Sequence, residues 1–151
     1  METKSSPLAL KDFIITFSNC ELNGMQTAQK NINKISEKQT NYPVLIDYDI
    51  KKMQDNPEFI IGMRVVINPD KLKGYSIAVN GVGYFTINEI TDEKEIANLI
   101  HFSALNICIA NIRSYIAHMT SFFPLGRFNF QTIDMPSLIK SKYNERVSVK
   151  E

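Results

Sequence analysis

Histidine residues are the first candidates for chemistry in this sequence, because they can act as general bases or bind metals. The 151 residues include 2 His, and both His101 and His118 fall in one predicted helix. Neither has a His, Cys, Asp or Glu three or four positions away, the spacing that places two ligands on one helix face. The spacing therefore favours histidines that are satisfied within a core or interface.

Paired carboxylates are the second candidates. Asp47 and Asp49 share one face of a predicted strand, where two acids could work as an acid–base pair. No further polar groups converge on them in the sequence, so a solvated strand face is the favoured interpretation. The two cysteines, Cys20 and Cys108, lie in apolar surroundings and are predicted to be packed, reduced thiols. We therefore predict no enzyme activity, no metal and no cofactor.

Length and composition are those of a small globular domain. We expect one domain over residues 1–151, with residues 1–7 and 147–151 flexible. Hydrophobic residues make up 44% and charged residues 22%, and the net charge of +1 argues against nucleic acid as the main partner. The first residues lack the apolar run of a secretory signal, so a cytoplasmic location is expected.

The segment 93–123 organises the rest of the chain. It contains neither Pro nor Gly, and Thr91 and Asp92 before it can cap a helix. From Ile96 to Ile112 it has no Asp, Glu, Lys or Arg, and its apolar residues fall on most sides of a helix. A helix of this kind must be covered on most sides, whereas a single sheet covers only one.

Three structures could supply the missing cover. A membrane is disfavoured because the uncharged run is short and carries three asparagines, a histidine and a serine. The core of a larger domain is disfavoured because the remaining chain is too short. We therefore predict a second copy of the same helix, although the sequence leaves open which face meets it. The predicted oligomer interface comprises Ile100, Leu105, Ile109, Ile112 and Ile116.

Four strands are predicted before the helix, at residues 8–22, 43–54, 58–68 and 75–90. Each alternates apolar and polar residues or is rich in β-branched and aromatic types. A polar connection, 23–42, separates the first strand from the second. The predicted fold is α+β, with a four-stranded antiparallel meander sheet covered by the long helix. Gly81 and Gly83 within the last strand predict a bulge or the close approach of another backbone.

An aromatic segment follows the long helix. Five large apolar residues fall within nine positions, interrupted by Pro124 and Gly126: Phe122, Phe123, Leu125, Phe128 and Phe130. Asp134 then begins a short second helix. The five residues could staple that helix onto the sheet, or they could line an exposed groove that binds extended apolar segments without a strict sequence requirement.

Several of these stretches resemble the SecB protein-export chaperone family. Asn106-Ile107 followed by Arg113 is similar to that family's Asn-Ile-Leu-Phe-Pro-Tyr-Ala-Arg segment, and Phe123-Pro124 to its Phe-Pro. Ile133-Asp134 stands at the spacing of the family's Asn-Phe-Asp. The stretch 79–85, Val-Asn-Gly-Val-Gly-Tyr-Phe, resembles a family strand, and Lys11-Asp12 resembles the Lys-Asp of its first strand. The resemblance covers residues 10–143.

This resemblance implies a homotetramer, a dimer of dimers, in which the long helices pack between two eight-stranded layers. It implies an ATP-independent holdase that binds unfolded or precursor polypeptides and passes them to the SecA motor, with a Phe-Pro crossover loop and second helix beside the client groove. Some members of the family instead shield an antitoxin. By position, the client-binding residues here are Phe122, Phe123, Leu125, Phe128, Phe130, Ile133, Leu138 and Ile139.

The chain departs from the family where the motor would dock. Exporting members are acidic, whereas the corresponding strand here reads Tyr-Ser-Ile-Ala at 75–78 and carries no acid. The end of the chain is basic rather than acidic, with Lys140, Lys142, Arg146 and Lys150. Holding a client is therefore better supported than binding SecA. A scaffold for one folded partner and a small-ligand carrier are the other classes of function left open.

Overall fold

The computed structural model describes residues 1–24, 42–53, 57–88 and 92–149. Four strands precede two helices, and we number them β1 (Leu8–Asn23), β2 (Val44–Lys52), β3 (Glu58–Ile67), β4 (Gly74–Ile87), α1 (Glu93–Thr120) and α2 (Met135–Ser148). The predicted α+β class is confirmed. The predicted polar connection 23–42 lies mostly outside the described residues, as does the predicted cap Thr91.

The strand order corrects the predicted meander. All pairs are antiparallel, but the order across the sheet is β1-β4-β3-β2. Only β2, β3 and β4 form a meander, while β1 pairs with β4, which gives a Greek key. β1 and β2 therefore lie at opposite edges of the sheet. The segment that contains Phe123 and Pro124, here called the Phe-Pro segment (residues 121–134), lies between the two helices, as predicted.

Alternation along the strands defines a buried face of the sheet. On β3, residues Phe59, Ile61, Met63, Val65 and Ile67 are buried, and on β4 every second residue from Tyr75 is buried. Paired positions such as Val65 and Val79 place these side chains on one face. Helix α1 covers this face, as predicted, so the core lies between one sheet and one helix.

Two glycines of β4 make room for that helix. A Cβ atom on Gly81 would lie 2.6 Å from the Phe13 ring and 3.6 Å from Ile112, and one on Gly83 would lie 3.0 Å from the Cys108 sulfur. The predicted close approach of another backbone is therefore wrong, because side chains occupy the space beside these glycines. Register shifts in β1, between Leu10 and Asp12 and between Ile15 and Phe17, mark irregular pairing opposite this stretch.

Helix α1 is not uniform along its length. It is α-helical from Glu93 to Asn98, a π-helix from Leu99 to Ala104, and α-helical again from Leu105 to Thr120. The carboxylate of Asp92 caps its start by accepting the backbone N–H of Lys94 at 3.0 Å. The helix ends three residues before the predicted Phe123, where Ser121 and Phe122 form a turn.

The short second helix begins as predicted. Asp134 accepts the backbone N–H of Ser137 at 3.3 Å and its hydroxyl at 2.8 Å, and Pro136 lies in the first turn, where its missing N–H costs nothing. The helix continues to Ser148, so residues 147 and 148, predicted as part of a flexible tail, are helical.

Candidate functional site

An aromatic cluster occupies the end of the core where α1 terminates. The Phe128 ring centroid lies 6.1 Å from that of Tyr75 and 6.2 Å from that of Tyr42, and Phe123 lies 6.2 Å from Tyr75. The Phe128–Tyr75 and Phe123–Tyr75 pairs are edge-to-face, a favoured arrangement of aromatic rings. The cluster joins the Phe-Pro segment to the beginning of β4.

Hydrogen bonds fix the Phe-Pro segment in place. The Tyr75 hydroxyl donates to the Gly126 carbonyl at 2.5 Å, and burial raises the pKa of Tyr75 to about 12, so this donor keeps its proton. The Thr120 hydroxyl accepts the Phe128 backbone N–H at 2.8 Å and donates to the Ile116 carbonyl at 2.7 Å. The segment is therefore held by the core rather than being a free loop.

Arg113 anchors the next part of the segment. Its guanidinium lies 4.7 Å from the centroid of the Phe130 ring and donates a hydrogen bond of 3.2 Å to the Gln131 carbonyl. A cation over an aromatic face is attracted by the ring quadrupole. This is the arginine that the SecB resemblance singled out, and it connects α1 to the chain leading into α2.

The predicted client-binding residues divide into three groups. Phe122 is 82% exposed, and Phe123, Ile133, Leu138 and Ile139 are partly buried. Leu125, Phe128 and Phe130 are at most 8% exposed. The expectation that these last three are exposed is therefore wrong. Their side chains are buried and attach the Phe-Pro segment to the core, which is the alternative given above. Client binding by the other five stays a prediction.

The residues predicted to form the oligomer interface lie on the face of α1 that packs against its own sheet, so that prediction is wrong. Ile100, Leu105, Ile109, Ile112 and Ile116 are at most 2% exposed within a single protomer. They pack in the core of their own chain and are not available to a second copy. Because α1 is apolar on most sides, the sequence pattern could not show which positions meet the sheet.

A different row of α1 side chains faces outward. Every fourth residue along the helix is exposed, and we call this row the α1 stripe: Asn98, Phe102, Asn106, Ala110, Ser114 and His118. In a regular α-helix, such a row drifts around the axis, because four residues exceed one turn. The π-helical turns of Leu99–Ala104 take more residues per turn and so reduce the drift. Phe102, 48% exposed, stays on the stripe for this reason.

His101 lies in the π-helical part of α1. Its Nδ1 is buried and has no hydrogen-bond partner among the described residues. Burial lowers the pKa of His101, and the positive charges of Arg146 and Lys52 lower it further. A histidine with a lowered folded-state pKa binds its proton less readily in the folded protein than in the unfolded chain. Lowering the pH through and below 6.5, the ordinary pKa of a histidine, therefore lowers the free energy of unfolding.

Replacing His101 with Gln should reduce the loss of stability that the protein shows on acidification. The free energy of unfolding, measured by urea titration at pH 7.5, 6.5 and 5.5, should fall less steeply in His101→Gln than in the wild type, because Gln cannot take up a proton. His118→Gln is the matched control, since His118 is exposed on the same helix. Parallel pH profiles for the wild type and His101→Gln would contradict the prediction.

The carboxylate and thiol candidates for chemistry lie on different elements of the structure. Asp47 and Asp49 both face Lys142 of α2, at 2.5 and 3.8 Å. Burial raises the pKa of Cys20 to about 11 and that of Cys108 to about 12, so both thiols stay protonated and weakly nucleophilic near neutral pH. Among the residues that the structure describes, no three His, Cys, Asp or Glu side chains gather as metal ligands would.

Helix α1 also meets the length and composition criteria for a membrane span. One third of its most apolar 18-residue window is buried within the protomer, against the sheet. The core helix of a globular domain meets the same criteria. The polar members of the α1 stripe lie on the exposed side of the helix.

A four-stranded antiparallel sheet covered by a long helix that leads into a short one is a SecB-like fold, as comparison with a solved structure shows. The SecB-like chaperone Rv1957 of Mycobacterium tuberculosis, solved with a ChAD peptide from the antitoxin HigA1, has this fold with a TM-score of 0.57. The two chains are 12% identical, and the match covers 84% of this chain and 88% of that one. The resemblance found in the sequence is thereby confirmed for the fold.

Other comparisons add little. A protein of unknown function from Streptococcus agalactiae matches with a TM-score of 0.45 and 9% identity, over 86% of this chain and all of that one, and no argument rests on it. No protein-family model matches the sequence, and no curated protein matches it either.

Proposed function

We propose that this protein is an ATP-independent chaperone that holds unfolded polypeptide segments. The observation that carries the proposal is the fold, shared with a SecB-like chaperone whose structure contains an antitoxin peptide. An aromatic residue just after the long helix supports it, since Phe122 lies open to solvent. Large exposed aromatic side chains are suited to binding apolar segments without a strict sequence requirement.

An antitoxin is a better-supported client than a general set of secretory precursors. The structural neighbour holds an antitoxin peptide. The strand segment of this chain that corresponds to the family's acidic docking site, residues 75–78, carries no acid. In the structure the corresponding strand residues, Tyr75 to Ala78, include two core side chains, Tyr75 and Ile77. A role in export and binding to SecA are therefore secondary proposals, as is the cytoplasmic location.

Suppression of aggregation by the purified protein tests the proposal. An equimolar amount of protein, counted as protomers, should reduce the light scattering of a chemically unfolded client after dilution. Phe122→Ala should weaken the effect, because the loss of one aromatic anchor costs about 1–3 kcal/mol of binding. Leu45→Ala is the control, since Leu45 is an exposed apolar residue on β2, outside the predicted groove. A wild-type protein that leaves scattering unchanged would rule out the holdase.

We further propose that α1 pairs with α1 of a second copy through the α1 stripe. Rows of every fourth residue form ridges, and two such ridges pack at a crossing angle of about 50°. Ala110 is the smallest residue of the stripe and lies at its centre, where two crossing helices must approach most closely. Sedimentation equilibrium should give a dimer or a tetramer; the mass of a single chain at micromolar concentration would contradict the pairing.

A further inference from the structure

Helix α2 has few apolar contacts with the rest of the protein. Met135 is its one buried residue, and Leu138 and Ile139 are partly buried. Tyr143 and Val147 lie on later turns and are exposed. An amphipathic helix in a small domain normally docks through a full apolar stripe, whereas α2 buries apolar side chains only near its start.

The later turns of α2 stand away from the sheet. An open cavity of about 420 Å³ separates them from β2, lined by Asp49, Lys142, Glu145, Arg146 and Val149. Side chains on the two sides of this cavity are not packed together, so packing there does not hold α2 against β2. Some other interaction must hold this half of the helix near the strand.

Lys142 supplies that interaction. Its side chain is only 16% exposed, and its ammonium lies 2.5 Å from a carboxylate oxygen of Asp47 and 3.8 Å from one of Asp49. The same nitrogen lies 5.8 Å from the centroid of the Tyr48 ring, which is itself buried. One lysine thus reaches from α2 across the edge strand and contacts three consecutive residues of β2.

We propose that α2 is a hinged lid over the edge strand β2, and that the Lys142 ammonium is the latch that keeps it closed. Opening would uncover the Tyr48 ring, which is 4% exposed when the lid is closed. Among the strands that the structure describes, β2 pairs with β3 alone, so it is an edge strand. The two carboxylates of the latch are 63% and 85% exposed, so salt ions reach them readily.

The latch responds to ionic strength rather than to pH. The hydrogen bond from Lys142 lowers the pKa of Asp47 below its ordinary 3.8, and the same bond raises the pKa of Lys142 above its ordinary 10.5. Other charged groups near the pair are Asp49, Glu145, Arg146 and Arg64, the last of which is the β3 partner of Asp47 in the sheet. The pair therefore stays charged from below pH 3.8 to above pH 10.5, and its contribution is constant between those values. Added salt screens the attraction between the Lys142 ammonium and the Asp47 carboxylate at any pH.

Amide hydrogen exchange of α2, measured by mass spectrometry on the full chain without any client, tests the latch. Lys142→Met keeps an unbranched side chain over Tyr48 and removes the charge, so exchange in residues 135–148 should be about threefold to tenfold faster. Lys140→Met, on the exposed side of the same helix, is the control and should exchange at the wild-type rate. Sodium chloride at 0.5 M should accelerate the wild type but not Lys142→Met.

The variant Asp47→Asn provides a second test, and it leaves the sequence of α2 unchanged. It should accelerate exchange in α2, and adding it to Lys142→Met should have little further effect, since both changes break one interaction. Equal exchange in Lys142→Met and the wild type, or equal acceleration by Lys140→Met, would overturn the proposal. Because no client is present, the result does not depend on the proposed chaperone function.

Discussion

Replacing Ile112 with Asp should prevent the protein from folding. Ile112 is fully buried within the protomer, and its side chain packs beside Gly81 of β4. An unpaired carboxylate at that position would cost several kcal/mol or more, which is comparable with the total stability of about 5–15 kcal/mol of a small domain. Circular dichroism and one-dimensional NMR of the purified or refolded variant should show loss of the native fold.

Ala110→Glu is the matched control for this substitution. It places an acid two residues away on the same helix, at an exposed position of the α1 stripe. The variant should keep native circular dichroism and, if α1 pairs as proposed, should shift the sedimentation equilibrium toward single chains. An Ile112→Asp protein that folds normally but dissociates would show that the sheet-facing assignment of α1 is wrong.

Replacing Phe128 with Ala should destabilise the protein by about 3–5 kcal/mol, the usual cost of truncating a buried aromatic side chain. The ring is 3% exposed and contacts both Tyr42 and Tyr75, so little can move in to fill the space. Chemical denaturation should show a lower midpoint. From the sequence, Phe128 was expected to be a client-binding residue; burial of its ring makes stability the main effect of this substitution.

Phe122→Ala separates stability from binding. Phe122 lies six residues earlier in the same segment, but it is exposed and contacts the His118 ring at 5.6 Å. Truncating it should change the free energy of unfolding by less than about 0.5 kcal/mol. An unchanged denaturation midpoint for Phe128→Ala, or a large shift for Phe122→Ala, would contradict the burial of the segment.

Local patterns in the sequence predicted the local structure well. Alternation in β2 and β3 predicted which side chains share a face, and the ends of those strands fall within two residues of the predicted ends. Asp92 and Asp134 were predicted as helix caps, and both accept backbone N–H groups. Side-chain capping and strand alternation depend on neighbours in the chain, which is why they can be predicted from it.

Long-range arrangement could not be predicted in the same way. Nothing in β1 or β4 specifies that they pair with each other, because register follows from burial of a common face. The aromatic cluster brings together Tyr42, Tyr75 and Phe128 from three distant segments, so its two tyrosines were missed as parts of the site. In α1 the apolar residues surround the helix, and periodicity alone could not separate the core face from the stripe.

The pairing of β1 with β4 has a consequence for synthesis of the protein on the ribosome. β1 is translated first, but its only strand partner begins at Gly74. At about 5–20 residues per second, the nascent chain therefore carries an unpaired strand for seconds. During that time Phe13 and Ile15, which pack against the core in the folded protein, have no sheet beside them, and a ribosome stalled before Gly74 would display a segment prone to aggregation.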